Sequence, residues 1–187
     1  MAQDIKKIIA QEYLKCAKDP AYFMRKYCFI QHPTRGRILF NLYPFQEKAL
    51  HLFRDNQYII TLKSRQLGIS TLASAYSLWL MIFHKDKNVL ALATTQATAR
   101  NLVTKTMFMY DQLPKWIKLP ALEKNKLSLR LKNGSKITAK SSNADAARSE
   151  AVSLLLIDEA AFIDNIDETF TAAQQTLATG GQCMALS

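Results

Sequence analysis

Three apolar runs, YIITL (58–62), VLALAT (89–94) and VSLLLI (152–157), set the strongest constraint on the fold. Each is apolar at nearly every position rather than at alternate ones, so neither face of the strand can lie in water. Between the runs come segments of helical character, Ser70 to about Phe83 and Gln96 to about Gln112. Strands buried on both faces and joined by helices read as a mostly parallel α/β sheet with helices on both faces. A helix from Glu168 to about Ala178 and a strand within GQCMALS (181–187) continue the alternation. The length of 187 residues suits one such domain, and an apolar content of 49 % argues against disorder.

The remaining segments are less regular. LSLRLKNGSKITAK, near 127–140, reads as an inserted antiparallel β-hairpin with Asn133-Gly134 at its turn. Residues 1–30 read as one or two helices broken near Asp19-Pro20, and HPTRGR (32–37) as a turn-rich basic connector. Tyr43-Pro44-Phe45-Gln46 opens a short helix to about Phe53, with proline at an allowed early position. The chain thus divides into an N-terminal helical or lid segment, 1–42, and a core, 43–187. The N-terminus is amphipathic, unlike a signal peptide. LWLMIF (78–83) is too short to cross a bilayer, so no membrane partner is expected. Cys16, Cys28 and Cys183 lack metal or redox spacing and read as reduced structural thiols. His32, His51 and His84 show no pattern of metal or acid–base work. With 25 Lys and Arg against 15 Asp and Glu, the net charge of +10 favours polyanionic partners.

The first apolar run leads into KSRQLGIST (63–71), which departs from the phosphate-loop pattern G-x-x-x-x-G-K-[ST] in an informative way. Gly68 and Ser70 hold their places, Ile69 stands where the lysine belongs, and Lys63 stands where the first glycine belongs. A strand, a tight loop and a helix start aim backbone N–H groups of Ser64, Arg65, Gln66, Leu67, Gly68, Ile69, Ser70 and Thr71 at an anion. Ser70 is the expected Mg²⁺ ligand. A charged hydrogen bond is worth about 1.5–3 kcal/mol, and Ile69 supplies none. Because such a loop curls on itself, Lys63 can reach the same oxygens from the other end, and Arg65 adds a second cation. The site reads as permuted rather than dead.

The third run delivers Asp158 and Glu159 to its C-terminal end in LLLIDEAAF (154–162), the ligand-bearing edge of an α/β sheet. Asp158 is expected to hold Mg²⁺ through water together with Ser70, and Glu159 to orient or deprotonate an attacking water. About 90 residues separate the two motifs. Together they predict a P-loop NTPase of the ASCE/RecA-like type that uses ATP and Mg²⁺.

SRQLGIST and LLLIDEAAFIDN, with lysine at the front of the loop, resemble the large terminase subunit of tailed double-stranded-DNA phages. The resemblance runs from about Tyr43 to Ser187. It implies an ATPase that drives duplex DNA into a capsid, with a portal protein and a small terminase subunit as partners. It also implies a pentameric ring in the host cytoplasm on the procapsid, though the isolated domain can be monomeric. It further implies that this is the ATPase part alone, without the nuclease domain, so that no DNA cutting is expected and the last strand is expected to be poorly held. By the same resemblance Tyr43, Phe45 and Gln46 form the adenine-recognition segment. Gln46 would read the base edge, and Tyr43 or Phe45 would stack on it. Arg148 in NADAARSEAV is similar to the arginine that reaches a neighbouring subunit's ATP. Arg65 competes for that role from within its own subunit, and a solvated pairing of Arg148 with Glu150 is the plainer account. Thr94-Thr95-Gln96 serves as a relay or simply as a helix N-cap.

The segment 115–140 carries eight cations (Lys115, Lys118, Lys124, Lys126, Arg130, Lys132, Lys136, Lys140) against Glu123 alone. It is the first candidate for the DNA backbone, with a solvated face as the alternative. Two other functions are compatible with these motifs: a helicase-like nucleic-acid-dependent ATPase, and a non-hydrolysing nucleotide-binding assembly module.

Overall fold

A computed structural model describes residues 2–142, 151–177 and 180–187. Helices α1 (Ala2–Lys18) and α2 (Pro20–Tyr27) meet at the expected break, where the Asp19 side chain accepts from the Ala21 N–H at 2.8 Å and Pro20 opens α2. The segment expected to be a connector is instead the turn of a hairpin. Strands β1 (Phe29–His32) and β2 (Gly36–Leu39) pair antiparallel around it, and Gly36 takes the left-handed conformation that the turn needs. α3 (Pro44–Asp55) follows. Side chains from these first elements, among them Cys16, Phe23, Met24, Cys28 and Phe40, share one core with the rest of the chain.

The main sheet has seven strands: β3 (Tyr58–Thr61), β4 (Asn88–Ala93), β5 (Ala121–Lys124), β6 (Ser128–Leu131), β7 (Lys136–Ser141), β8 (Leu154–Asp158) and β9 (Gln182–Leu186). Their order is β3-β9-β8-β4-β7-β6-β5. The five strands from β3 to β7 in that order run parallel. The expected hairpin exists as β6 and β7, but it is no separate insertion. β7 extends the parallel sheet along β4, and β6 and β5 add an antiparallel edge.

Two apolar layers explain the continuous hydrophobic runs. Val89, Ala91, Leu154, Leu156 and Met184 face α4 (Ile69–Phe83) and α5 (Gln96–Asp111). Leu90, Leu92, Leu155, Ile157 and Cys183 join Leu177 of α6 (Ile166–Leu177) on the other face. The helix-on-both-faces architecture read from the sequence is therefore the architecture of the protein. The last strand corrects an expectation. β9 is not loosely held but central, paired along its length with β3 on one side and β8 on the other. Its register aligns Thr61, Leu186 and Asp158, which brings the phosphate loop and the acidic strand end level at one edge of the sheet.

Candidate nucleotide site

The loop between β3 and α4 is anchored at both ends. At its start the Lys63 N–H donates to the Ser187 carbonyl at 2.6 Å, and the Ser187 N–H donates to the Thr61 carbonyl at 2.9 Å. At its end Gly68 caps α4 at φ +72°, and the Leu72 N–H returns to the Gly68 carbonyl at 2.9 Å. Gln66, at φ 65°, is the one non-glycine loop residue in the left-handed region. Among the described residues no carbonyl takes the N–H groups of Ser64, Arg65, Gln66, Leu67 or Gly68. A loop of free donors running into a helix N-terminus fits a polyphosphate.

Ile69 is 4 % exposed and belongs to the core under α4. The position that usually carries the lysine here points into apolar packing. The nearby cation that the structure does bring to the acidic strand end is Lys63. It lies just past β3, which is two strand spacings, about 10 Å, from β8, and its side chain brings Nζ to 3.4 Å from Asp158 Oδ1. Ser70 Oγ donates to the same oxygen at 3.1 Å, as does the Glu159 N–H at 3.1 Å. Lys63, Ser70 and Asp158, far apart in sequence, thus meet at one carboxylate that is 8 % exposed. A hydroxyl and a carboxylate side by side, open to phosphate and water, match what Mg²⁺ takes beside a nucleotide. Clusters of three or more His, Cys, Asp or Glu are absent among the described residues, and such a site requires none.

Glu159 lies at φ 56°, ψ 39°, a conformation costing a non-glycine residue about 1–2 kcal/mol. That turn takes Glu159 out of β8 into solvent, while Asp158 stays buried. Its carboxylate makes no hydrogen bond with the described residues. Arg65 and Ser64 are exposed on the loop, and Thr71 is partly buried in the first turn of α4. Arg148 and Glu150 fall outside the described residues. Thr95 is the N-cap of α5, its hydroxyl accepting from the Thr98 N–H at 3.1 Å.

Tyr43 and Phe45 stack at 5.7 Å with an angle of 7° between their rings, and both are exposed, which makes an open aromatic platform beside the loop. Gln46 differs from its neighbours. It is 2 % exposed, its carbonyl oxygen accepts from the Tyr43 N–H at 3.0 Å, and its Nε2 donates to the Leu67 carbonyl at 3.0 Å. One bond closes its own helix cap, and the other grips the phosphate loop. A Cβ on Gly68 would stand 2.8 Å from that nitrogen, so a larger residue there would displace the Gln46 amide as well as strain its own φ. One N–H and one lone pair of the amide make no bond with the described residues.

One cation escaped the sequence reading. Lys105 of α5 is partly buried, and the charges acting on it are those of Asp158 and Lys63. Desolvation by burial holds its pKa below the usual lysine value. No motif surrounds it in the sequence.

Residues 60–184 match the family described as terminase large subunit, T4likevirus-type, N-terminal. The fold is similar to that of the HK97 bacteriophage large terminase, with a TM-score of 0.71 at 17 % identity over 91 % of this chain and 37 % of that one. It is similar to the large terminase ATPase domain of Thermus phage P74-26, with a TM-score of 0.63 at 19 % identity over 79 % of this chain and 64 % of that one. It is also similar to the large terminase of a thermophilic bacteriophage in complex with ADP, with a TM-score of 0.61 at 17 % identity over 78 % of this chain and 38 % of that one. The chain therefore spans less than two thirds of the length of each of these relatives. With the match covering the loop, the acidic strand end and the sheet between them, the chain belongs to the family of T4-like-virus-type terminase large subunits and represents its N-terminal region.

Proposed function

We propose that the chain binds and hydrolyses ATP with Mg²⁺ and is the ATPase part of a motor that moves double-stranded DNA into a phage capsid. The observation that carries the reading is the convergence of Lys63, Ser70 and Asp158 at one carboxylate beside a loop of free N–H donors. Family membership supports the packaging role, and the ADP and ATP-gamma-S complexes of the thermophilic-phage terminase support nucleotide binding.

In this reading the platform of Tyr43 and Phe45 takes the adenine, and Gln46 ties base recognition to the loop. The N–H groups of the loop and of the first turn of α4 hold the phosphates. Lys63 moves from Asp158 onto the terminal phosphates, and Arg65 adds a charge from the exposed side. Mg²⁺, when bound, offsets charge between the β- and γ-phosphates. Ser70 and Asp158 would hold it, Asp158 through water. Glu159, free of partners among the described residues and turned to solvent, orients and deprotonates the attacking water. Arg148 completes the site of the next subunit in a pentameric ring. That ring would sit on the procapsid in the host cytoplasm, with the portal protein and the small terminase subunit as partners.

DNA contact would be sequence-independent and salt-sensitive. Lys118 and Lys124 are tied to Asp111, at 3.8 and 2.6 Å, which leaves the basic segment unevenly available. A cleft of about 580 Å³ between α5 and the β5–β6 turn gathers Arg100, Lys124 and Lys126, and we assign the duplex backbone to it.

The test is steady-state ATP turnover by the chain and by Lys63→Ala and Glu159→Gln variants, with and without duplex DNA. Glu159→Gln should retain ATP binding and lose about 100-fold or more in kcat. Unchanged turnover in Glu159→Gln would overturn the assignment, and separation of a forked duplex would move it to the helicase class.

A further inference from the structure

Asp158 Oδ1 has three partners. The Ser70 hydroxyl and the Glu159 N–H each donate to it at 3.1 Å, and the Lys63 ammonium stands 3.4 Å away. The side chains of Lys63 and Asp158 are 18 % and 11 % exposed, so water and salt screen the pair little. Two of the three partners suit a metal site. A hydroxyl that gives its proton to the carboxylate keeps its lone pairs for a cation, and the Glu159 N–H fixes the carboxylate in place. The ammonium does the opposite. It offsets the charge that would attract a divalent cation, and it repels such a cation at either oxygen of Asp158, whether bound directly or through water.

Lys63 is tethered so that a polyphosphate can draw it off. Its N–H is held by the Ser187 carbonyl at 2.6 Å, at the front of a loop whose N–H groups at 64–68 take no carbonyl among the described residues. A polyphosphate in that cradle offers the ammonium several charged oxygens in place of one carboxylate. Once the lysine turns to them, Asp158 keeps only two neutral donors and an uncompensated charge, the condition under which a carboxylate takes a cation.

We infer that the Lys63 ammonium is a placeholder for the metal: in the nucleotide-free chain it keeps divalent cations off Asp158, and the nucleotide opens the metal site by drawing it away. Metal therefore binds with the nucleotide or after it, and not before. The inference rests on the reading of this site as an ATP site and adds to that reading an order of binding.

The test is the binding of Mn²⁺ alone to the nucleotide-free chain, read by electron paramagnetic resonance of the free ion. The parent should bind Mn²⁺ no more than about twofold better than an Asp158→Asn chain. Lys63→Met keeps the length of the side chain without its charge and should tighten Mn²⁺ binding about tenfold, the order of one charged contact. Lys63→Gln is a second uncharged variant and should do the same. Lys63→Arg keeps the charge and should stay within about twofold of the parent. The gain should vanish when Lys63→Met is combined with Asp158→Asn, which places it at that carboxylate. No gain in either uncharged variant would overturn the inference. So would an equal gain in Lys63→Arg, or a gain that survives Asp158→Asn. These outcomes leave the nucleotide reading standing, because that reading is checked separately with mant-ATP, a fluorescent ATP analogue. Failure of the parent chain to bind mant-ATP would remove that reading, and the inference with it.

Discussion

Gly68→Ala offers a measurable test of how the loop is held. Alanine at φ +72° costs about 1–2 kcal/mol from the left-handed conformation alone. Its Cβ would also stand 2.8 Å from Gln46 Nε2, closer than such contacts allow. The amide must withdraw and give up its bond to the Leu67 carbonyl, a further loss of about 1 kcal/mol. The expected total is about 2–3 kcal/mol, or about 5–10 °C in Tm for a chain of this size. The two parts separate in a double-mutant cycle read by urea denaturation. In a Gln46→Ala chain the obstructing nitrogen is gone, and Gly68→Ala should cost only the conformational part, about 1–2 kcal/mol. The coupling energy should therefore be about 1 kcal/mol. A coupling below about 0.3 kcal/mol would show that Gln46 does not grip the loop. The same cycle read by mant-ATP affinity should show Gln46→Ala weakening binding even to analogues with an altered base, because loop geometry and not base contact alone is lost.

Restoring the lysine that the loop pattern calls for should fail. Ile69→Lys forces an ammonium into the packing under α4, so stability should fall by a few kcal/mol, roughly 2–4, and turnover of a Lys63→Ala chain should not recover. The α1–α2 junction should respond to acid. Glu12 accepts hydrogen bonds from Lys26 at 2.6 Å and from Tyr22 and Tyr27 at 2.7 Å each. These, with Lys26 foremost, hold its pKa at about 2. A lowered folded-state pKa means that this stabilisation is complete above the ordinary glutamate range and lost as pH falls from about 4.5 towards 2. Circular-dichroism melts should show that stretch of pH dependence flattened in Glu12→Gln. The three cysteines should resist a thiol reagent in the folded chain and react together on unfolding. All are buried, and burial pushes Cys16 and Cys183 up to about 12 and Cys28 higher still.

How much of this was legible in the residues depends on where the cause lies. KSRQLGIST and LLLIDE could be read because phosphate binding needs backbone donors and a hydroxyl within a few residues. A metal-side acid likewise needs a buried strand directly before it. The Asn133-Gly134 turn could be read because few residues tolerate its geometry. FIQH and GRIL, by contrast, are four-residue strands with mixed polarity, and ALEK carries no strand preference. These become strands through what they pair with, and a partner cannot be seen in a window of one segment. The same limit hid Lys105, which no motif marks although the charges of Asp158 and Lys63 act on it. It also hid the loop-gripping role of Gln46, which needs the Leu67 carbonyl 21 positions away.

The deepest consequence of that limit concerns β9. In sequence it is a short closing strand with no motif. In the fold it separates the loop strand from the acidic strand, and its neighbour Ser187 bonds to both halves of the site. The Ser187 carbonyl takes the Lys63 N–H, its own N–H goes to Thr61, and its hydroxyl receives the Ala161 N–H at 3.3 Å, just beyond Glu159. Moving the lysine from the helix start to the strand end therefore changed more than a charge. A lysine at position 69 would ride on α4, whereas Lys63 hangs from a backbone held by β9. Any shift of that strand tip would move the cation and the Glu159 turn together. A Ser187→Pro change, which deletes both the N–H given to Thr61 and the hydroxyl that receives the Ala161 N–H, should thus loosen the lysine's anchorage at the cost of two hydrogen bonds, about 1–3 kcal/mol. Its effect on nucleotide affinity should exceed its effect on melting. Equal effects on both would reduce β9 to a packing element.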